Sequence, residues 1–252
     1  MTLVVRSEAN GGIATITLDS PANRNALSSK LLEQLSTALD SAVADDSVRS
    51  IVITGAGTVF CAGADLVDPP GNTPGSKFGF PTILQTIQTC PKPVIAKING
   101  HVRAGGLGLV AACDLAIAPL DATFAFSEVR IGVIPAIIAV VCQPVMTPRS
   151  FTRHVLTGSV FGAAEAAASG LITAAVDRDA LDAAVDALTA DFRLAAPAAV
   201  ANAKALIADL PLKPIDEQWE WTAGISAVQF QAPDAVEGIA AFREKRTPAW
   251  AE

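Results

Sequence analysis

Two glycine-bearing segments constrain this chain more than any other feature. They are Phe60-Cys61-Ala62-Gly63-Ala64-Asp65-Leu66 and Asn99-Gly100-His101-Val102-Arg103-Ala104-Gly105-Gly106-Leu107-Gly108-Leu109. Each follows an apolar, β-like run, Ser50–Thr54 and Val94–Ile98, and each is expected to open a helix. Such a junction aims free backbone N–H groups out of a strand end, where a helix N-terminus adds positive potential. One segment alone reads as a tight strand-to-helix turn. Two donors converging on one oxygen would make an oxyanion hole.

The rest of the chain supplies a mixed framework. Leu3–Ala9 and Ile13–Leu18 read as strands around an Asn10-Gly11-Gly12 turn. Ser28 is an expected N-cap, followed by Leu31, Leu32, Leu35, Leu39 and Val43 at helical spacing. Residues Val67 to Pro81 are rich in Pro, Gly, Asn and Ser and read as a surface loop. A short helix over Thr82–Thr89 ends before Pro91, and Leu115–Ala118 and Thr123–Phe126 read as short strands. Alternating strands and helices make an α/β core.

The pattern changes near Pro148. Beyond it only Ala174–Val176 reads as a strand. Alanine-rich helices are expected over Ala163–Ser169, Ala180–Leu194, Ala198–Asp209, Asp216–Val228 and Asp234–Lys245. No short solenoid repeat is visible.

Composition removes several function classes. The net charge of -7 argues against a general nucleic-acid binder, which needs clustered Lys and Arg. It leaves room for a ligand with a few phosphates, met by local cations and helix ends. Cys61, Cys90, Cys113 and Cys142 lack metal-type spacing and read as reduced, buried small apolar groups. His101 and His154 are the only histidines, without partners placed for a metal site or a Ser-His triad. The N-terminus carries no signal-peptide pattern, and the longest apolar stretch, Ile131 to Met146, holds Pro135 and Pro144 and is too short for a membrane span. A cytoplasmic protein with no membrane partner is the expectation.

The two glycine segments, in this order and spacing, resemble the enoyl-CoA hydratase/isomerase (crotonase) superfamily. Pro21-Ala22-Asn23-Arg24-Asn25-Ala26-Leu27 is similar to that family's CoA-contacting turn. Ala112–Ala118 is similar to its strand after the second donor helix, and Phe126–Pro135 to its catalytic-glutamate segment. Leu156-Thr157-Gly158, Gly170-Leu171-Ile172 and Ala241–Pro248 complete a resemblance covering nearly the whole chain.

The resemblance implies an α/β fold: a ββα spiral core over residues 1–195 and a C-terminal helical trimerisation region over 196–252. It implies an acyl-CoA thioester as substrate, with coenzyme A part of that substrate rather than a separate cofactor, and no metal. The implied oxyanion donors are the amides of Ala64 and Gly105, with Gly106 starting the helix aimed at the oxygen. The implied acid–base group is Glu128, whose burial would raise its pKa toward a useful range. Read without the resemblance, Glu128 pairs with Arg130 or caps a turn. Implied CoA contacts are Arg24, Ala26, Ala62, Asp65 and Leu66, with Phe242 and Lys245 reaching a CoA, including that of a neighbouring subunit. Asp65 is expected to order the first donor loop and Asp114 to fix backbone or subunit contacts. The implied assembly is a homotrimer or a dimer of trimers.

The sequence departs from the type pattern at two places. Two-glutamate hydratases carry an acid at the position of Gly108. The residues after Pro135 are Ala136-Ile137-Ile138-Ala139 where the type pattern is glycine-rich. One acid is absent and the pocket is expected to be bulkier and more apolar. Arg103 stands where the type pattern is apolar; it meets a distal substrate carboxylate, points to solvent, or pairs with Asp65 or Asp114. The leading expectation is an enoyl-CoA hydratase with a single glutamate, and the combination resembles hydratases of branched or dicarboxylic enoyl-CoAs. The alternatives are an enoyl-CoA isomerase, which moves the double bond without water, and a non-catalytic acyl-CoA binder.

Overall fold

The computed structural model describes residues 3–68 and 76–251. Strands β1 (Val5–Asn10) and β2 (Ile13–Leu18) form an antiparallel hairpin whose turn glycines, Gly11 and Gly12, both take positive φ. Ser28 then caps α1 (Ser29–Ala44) by accepting a hydrogen bond from the Leu31 amide. That cap satisfies one of the helix's orphan donors. Leu31, Leu32, Leu35 and Leu39 recur on one face, and all four are buried.

A repeated strand-strand-helix unit follows. Its first turn is β3 (Ser50–Gly55), β4 (Val59–Cys61) and α2 (Phe80–Thr89). Its second is β5 (Val94–Lys97), β6 (His101–Arg103) and α3 (Gly105–Ala112). Its third is β7 (Leu115–Pro119), β8 (Thr123–Ala125) and α4 (Ala136–Val145). The first strand of each turn joins one sheet and the second joins another. Residues 50–89 build the first turn but 94–112 the second, so no fixed period exists for the eye to find.

Then come α5 (Pro148–Thr157), β9 (Phe161–Gly162), α6 (Ala163–Ser169), β10 (Ala174–Val176) and α7 (Leu181–Leu194). The larger sheet has order β1-β2-β3-β5-β7-β10, parallel except at the hairpin. The smaller has order β4-β6-β8-β9, parallel except at β9. In β3, Ile51 and Ile53 face the main core while Val52 joins Ile95, Ile117, Leu181 and Val185 beneath α7. Strands covered on both faces read as continuous apolar runs for this reason. Each fully buried Ile or Leu contributes roughly 1.5–3 kcal/mol.

Helices α8 (Pro197–Asp209), α9 (Ile215–Gln229) and α10 (Pro233–Glu244) form the C-terminal region. Neither α8 nor α9 has a buried residue. Lys204 ties α8 to the core: its Nζ donates to the carbonyls of Ile87 and Lys92 and pairs with Asp114 Oδ2 at 2.7 Å. Asp114 Oδ2 also accepts from the Val94 amide, as its expected backbone role requires. The chain end returns to the core, where the Arg49 guanidinium donates to the carbonyls of Trp250 and Ala195.

Several expectations are corrected. Among the described residues, no helix opens at the first glycine segment; β4 runs through Cys61 and the next helix begins at Phe80. The expected loop over Val67–Pro81 falls partly on residues 69–75, outside those described. Helix α4 and strands β4, β6 and β9 were not anticipated. Pro144 and the even hydrophobicity of residues 131–146 hid α4. The three strands are two or three residues long, below the length at which alternation shows.

Candidate active site

Both glycine segments arrive at one cavity of about 470 Å³. Ala62, Ala64, Leu66, Gly105 and Glu128 line it, together with Leu27, Phe80, Ser127, Arg130, Ile134, Ile137 and Ile138. The first segment is held by the turn before α1. Ala62 N donates to the Arg24 carbonyl (3.1 Å), Leu27 N to the Gly63 carbonyl (2.7 Å) and Asp65 N to the Leu27 carbonyl (3.2 Å). That exchange makes a parallel bridge between Leu27 and Ala64 and leaves the Ala64 amide without a partner among the described residues.

The turn itself is rigid. Arg24 and Asn25 both take left-handed φ, 58° and 55°. Asn25 is fully buried and fully bonded: its Oδ1 accepts from Ser20 N, and its Nδ2 donates to the carbonyls of Ala56 and Val59. Satisfied polar groups of this kind fix a backbone in place. Asp65 accepts from the amides of Val67 and Asp68 and from Asn23 Nδ2. Those bonds hold its carboxyl below the usual range, the Val67 amide foremost. It orders the loop and does not line the cavity.

The second donor sits where α3 begins. Gly105 is its first residue, so its N–H has no intrahelical acceptor and carries the positive end of the helix dipole. The helix helps only this donor; the Ala64 amide relies on the latch to Leu27. Behind Gly105, a Cβ on Gly106 would lie 2.9 Å from the Cys61 carbonyl oxygen, so only glycine allows α3 to pack this closely on β4.

Glu128 begins a 3-10 turn (Glu128–Ile131) after β8. Its Oε2 is buried and has no hydrogen-bond partner. Burial pushes its carboxyl above the ordinary value of 4.5. A carboxyl buried in an apolar wall takes up a proton more readily than a free one, which suits an acid–base group. Among the described residues, Glu128 Oε2 does not pair with Arg130. Phe126, two residues earlier, packs edge-on against Phe151 of α5 and steadies the segment.

Other sequence-derived candidates fall elsewhere. Arg24, Ala26, Asp65 and Gly106 support the cavity without lining it. Phe242 (85% exposed) and Lys245 lie on the outer face of α10 and its C-cap, away from this cavity's lining. Arg103 meets neither Asp65 nor Asp114 nor the cavity. Its guanidinium is half-buried on the carbonyls of Val102 and Thr123 and on Thr123 Oγ1, which also contacts His101 Nδ1. Ile137 and Ile138 line the apolar wall expected after Pro135, whereas Leu27, Phe80 and Ser127 went unrecognised as lining residues. Among the described residues, no cluster of His, Cys, Asp and Glu is placed to hold a metal, and no helix is long and apolar enough to cross a membrane.

Comparison with known proteins gives the family. The family model described as enoyl-CoA hydratase/isomerase matches residues 8–252. The carnitinyl-CoA dehydratase of Escherichia coli O157:H7 is 32% identical over 250 residues, covering 96% of this chain and 95% of its own length. The crystal structure of an enoyl-CoA hydratase from Mycobacterium smegmatis superposes with a TM-score of 0.91 at 31% identity over the whole of both chains. One from Mycobacterium avium is 40% identical, with a TM-score of 0.74, over 99% of this chain and 100% of its own. The α/β architecture is the crotonase-like ββα spiral with a C-terminal helical region, and the chain belongs to the enoyl-CoA hydratase/isomerase family.

Proposed function

We propose that this protein hydrates an α,β-unsaturated acyl-CoA thioester with Glu128 as its single acid–base group. The observation that carries the reading is the buried, partnerless Glu128 Oε2 in the same cavity as two unengaged amides, those of Ala64 and Gly105. The amides receive the thioester oxygen, where negative charge develops; each such donor is worth on the order of 3–4 kcal/mol to the transition state. Glu128 takes a proton from water as the water oxygen bonds to the β-carbon. The double-bond electrons move to the thioester oxygen as an enolate. Glu128 then returns the proton to the α-carbon, completing addition of one water across the double bond.

The coenzyme A portion supplies binding energy and no chemistry. The latched turn of Arg24 and Ala26, with Ala62, Asp65, Leu66 and Gly106 behind it, is where we place its contacts. We also place a second copy of the chain over the C-terminal helices, in a homotrimer or a dimer of trimers. Trp219 (77% exposed), Phe230 (68%) and Phe242 support this, being large apolar groups left outside the fold. In such an assembly Phe242 and Lys245 reach the coenzyme A of a neighbour.

Double-bond isomerisation is the second reading. It is favoured by the lack of any other carboxyl lining the cavity among the described residues, since moving a proton between two carbons needs only one. The test is the ultraviolet absorbance of the conjugated thioester. Loss of conjugation from α,β-enoyl-CoAs, reduced about 10²–10⁴-fold in Glu128→Gln, supports hydration. Gain of conjugation from a β,γ-enoyl-CoA alone replaces it with isomerisation. No change with either, alongside acyl-CoA binding, makes the protein a binder and overturns both.

A further inference from the structure

The wall of the cavity beside α3 has an unusual construction. Gly108 lies one turn into α3, and Ile138 of α4 sits directly on it. A methyl group built on Gly108 would overlap Ile138 Cγ2 and lie 3.1 Å from Ile138 Cβ. The same methyl would lie 3.4 Å from Phe80 Cζ. Ile138 is 3% exposed, yet it lines the cavity, as does Phe80. One turn further along α4, Cys142 is buried with its thiol toward the Leu107 carbonyl, so α4 is seated on α3 with no slack.

This arrangement has two consequences. A glycine in a helix interior costs about 1 kcal/mol relative to alanine, and here the missing side chain is replaced by Ile138 from the facing helix. The space beside α3 is therefore filled rather than left open to substrate. Ile138 is also shared between the core and the wall of the cavity.

We propose that Ile138, seated on Gly108, sets the length of acyl chain the cavity accepts. The inference rests on the acyl-CoA reading above, and it names an apolar acyl group of limited length as the ligand of this wall. Truncating Ile138 deepens the cavity. Adding a side chain at Gly108 pushes Ile138 inward and makes the cavity shallower. Two substitutions in contact thus act in opposite directions on one property, which general destabilisation cannot do.

The experiment is calorimetric binding of saturated straight-chain acyl-CoAs of increasing length to the protein. Saturated thioesters are not hydrated, so the readout does not depend on the reaction. The proteins are wild type, Ile138→Val, Ile138→Ala, Gly108→Ala and the double variant Gly108→Ala/Ile138→Ala. Expected is an affinity that rises with chain length and then falls in the wild type. In Ile138→Ala the turning point moves to longer chains, with affinity gained by roughly fourfold for each extra methylene accommodated. Ile138→Val moves it less and guards against misfolding of the alanine variant. Gly108→Ala moves it to shorter chains, and the double variant returns toward wild type. A turning point unmoved in both Ile138 variants overturns the proposal while leaving the acyl-CoA reading intact. Failure of every protein to bind any acyl-CoA overturns that reading and this proposal with it.

Discussion

Gly63 and Ala104 meet back to back: a Cβ built on Gly63 would lie 2.6 Å from the Cβ of Ala104. The two donor-bearing loops therefore touch immediately before Ala64 and Gly105, and their separation is fixed by a missing methyl group. Gly63 also takes φ +89°, where a side chain is strained whatever the space. Ala104 is itself unusual, with φ 45° and ψ −122°.

Gly63→Ala is expected to cost roughly 1–3 kcal/mol of stability from backbone strain alone. By the proposed mechanism, misplacing one oxyanion donor lowers kcat by about 10²–10³-fold. Adding Ala104→Gly removes the opposing methyl and recovers part of the activity but not the φ strain. Ala104→Gly alone relieves roughly 1–3 kcal/mol of strain, more than the chain entropy a glycine adds, so its Tm does not fall. Thermal unfolding and steady-state kinetics on the three variants check this; additive losses in the double variant would mean that the methyl contact is irrelevant.

By the proposed mechanism, Glu128 couples catalysis to stability. Burial raises its folded-state pKa above 4.5, so the native state holds a proton that the unfolded chain releases. Stability therefore falls as pH rises from 4.5 through the raised value. Glu128→Gln removes the penalty. The variant should match wild type in acid and exceed it in Tm at neutral pH, while wild-type kcat rises with pH through the same raised pKa. An equal Tm difference at both pH values would show that the buried carboxyl carries no ionisation cost.

Much of this was legible because the signals were local. The Ser28 cap, the Asn10-Gly11-Gly12 hairpin and the strand runs before each glycine segment depend on neighbours in the chain, and they lie within one or two residues of where the sequence puts them. Glu128 and the two amides could be singled out because the resemblance carried them. Leu27 and Phe80 could not, because each reaches the cavity from a different element and reads locally as core. Arg103 was misread for a related reason. Its partners are backbone carbonyls across β6 and β8, and no spacing of acidic residues announces those.

Lys204 holds the C-terminal helices to the spiral through an ion pair in which its own side chain is 11% exposed and that of Asp114 29%. Lys204→Met keeps the length of the stem but leaves the Ile87 and Lys92 carbonyls and Asp114 short of a donor. Breaking such a pair costs about 3–5 kcal/mol, against about 0–1 for a surface pair. Asp114 stays partly satisfied by the Val94 amide, which places the expected loss near the lower end. Proteolysis should open α8 to α10 before the core unfolds. A loss under about 1 kcal/mol in denaturant titration would assign the anchoring to the Arg49 and Trp250 contacts instead.

His154 makes a second titration with the opposite sign. Its side chain is wholly buried and stacked on Phe161, with ring centroids 3.8 Å apart. Neither ring nitrogen makes a hydrogen bond, although Nε2 lies 3.2 Å from Glu165 Oε1. Desolvation lowers its pKa below 6.5; Arg153 adds to that and Glu165 opposes it. The unfolded chain thus binds a proton that the native state refuses, so stability is lost as pH falls below 6.5. His154→Leu keeps the apolar packing and cannot titrate. Its denaturation midpoint should change less than that of wild type between neutral and mildly acid pH. The absolute stability of the variant is secondary, since losing the stacked ring removes roughly 0.5–1.5 kcal/mol at every pH. Parallel pH profiles for the two proteins would place the acid sensitivity in other groups.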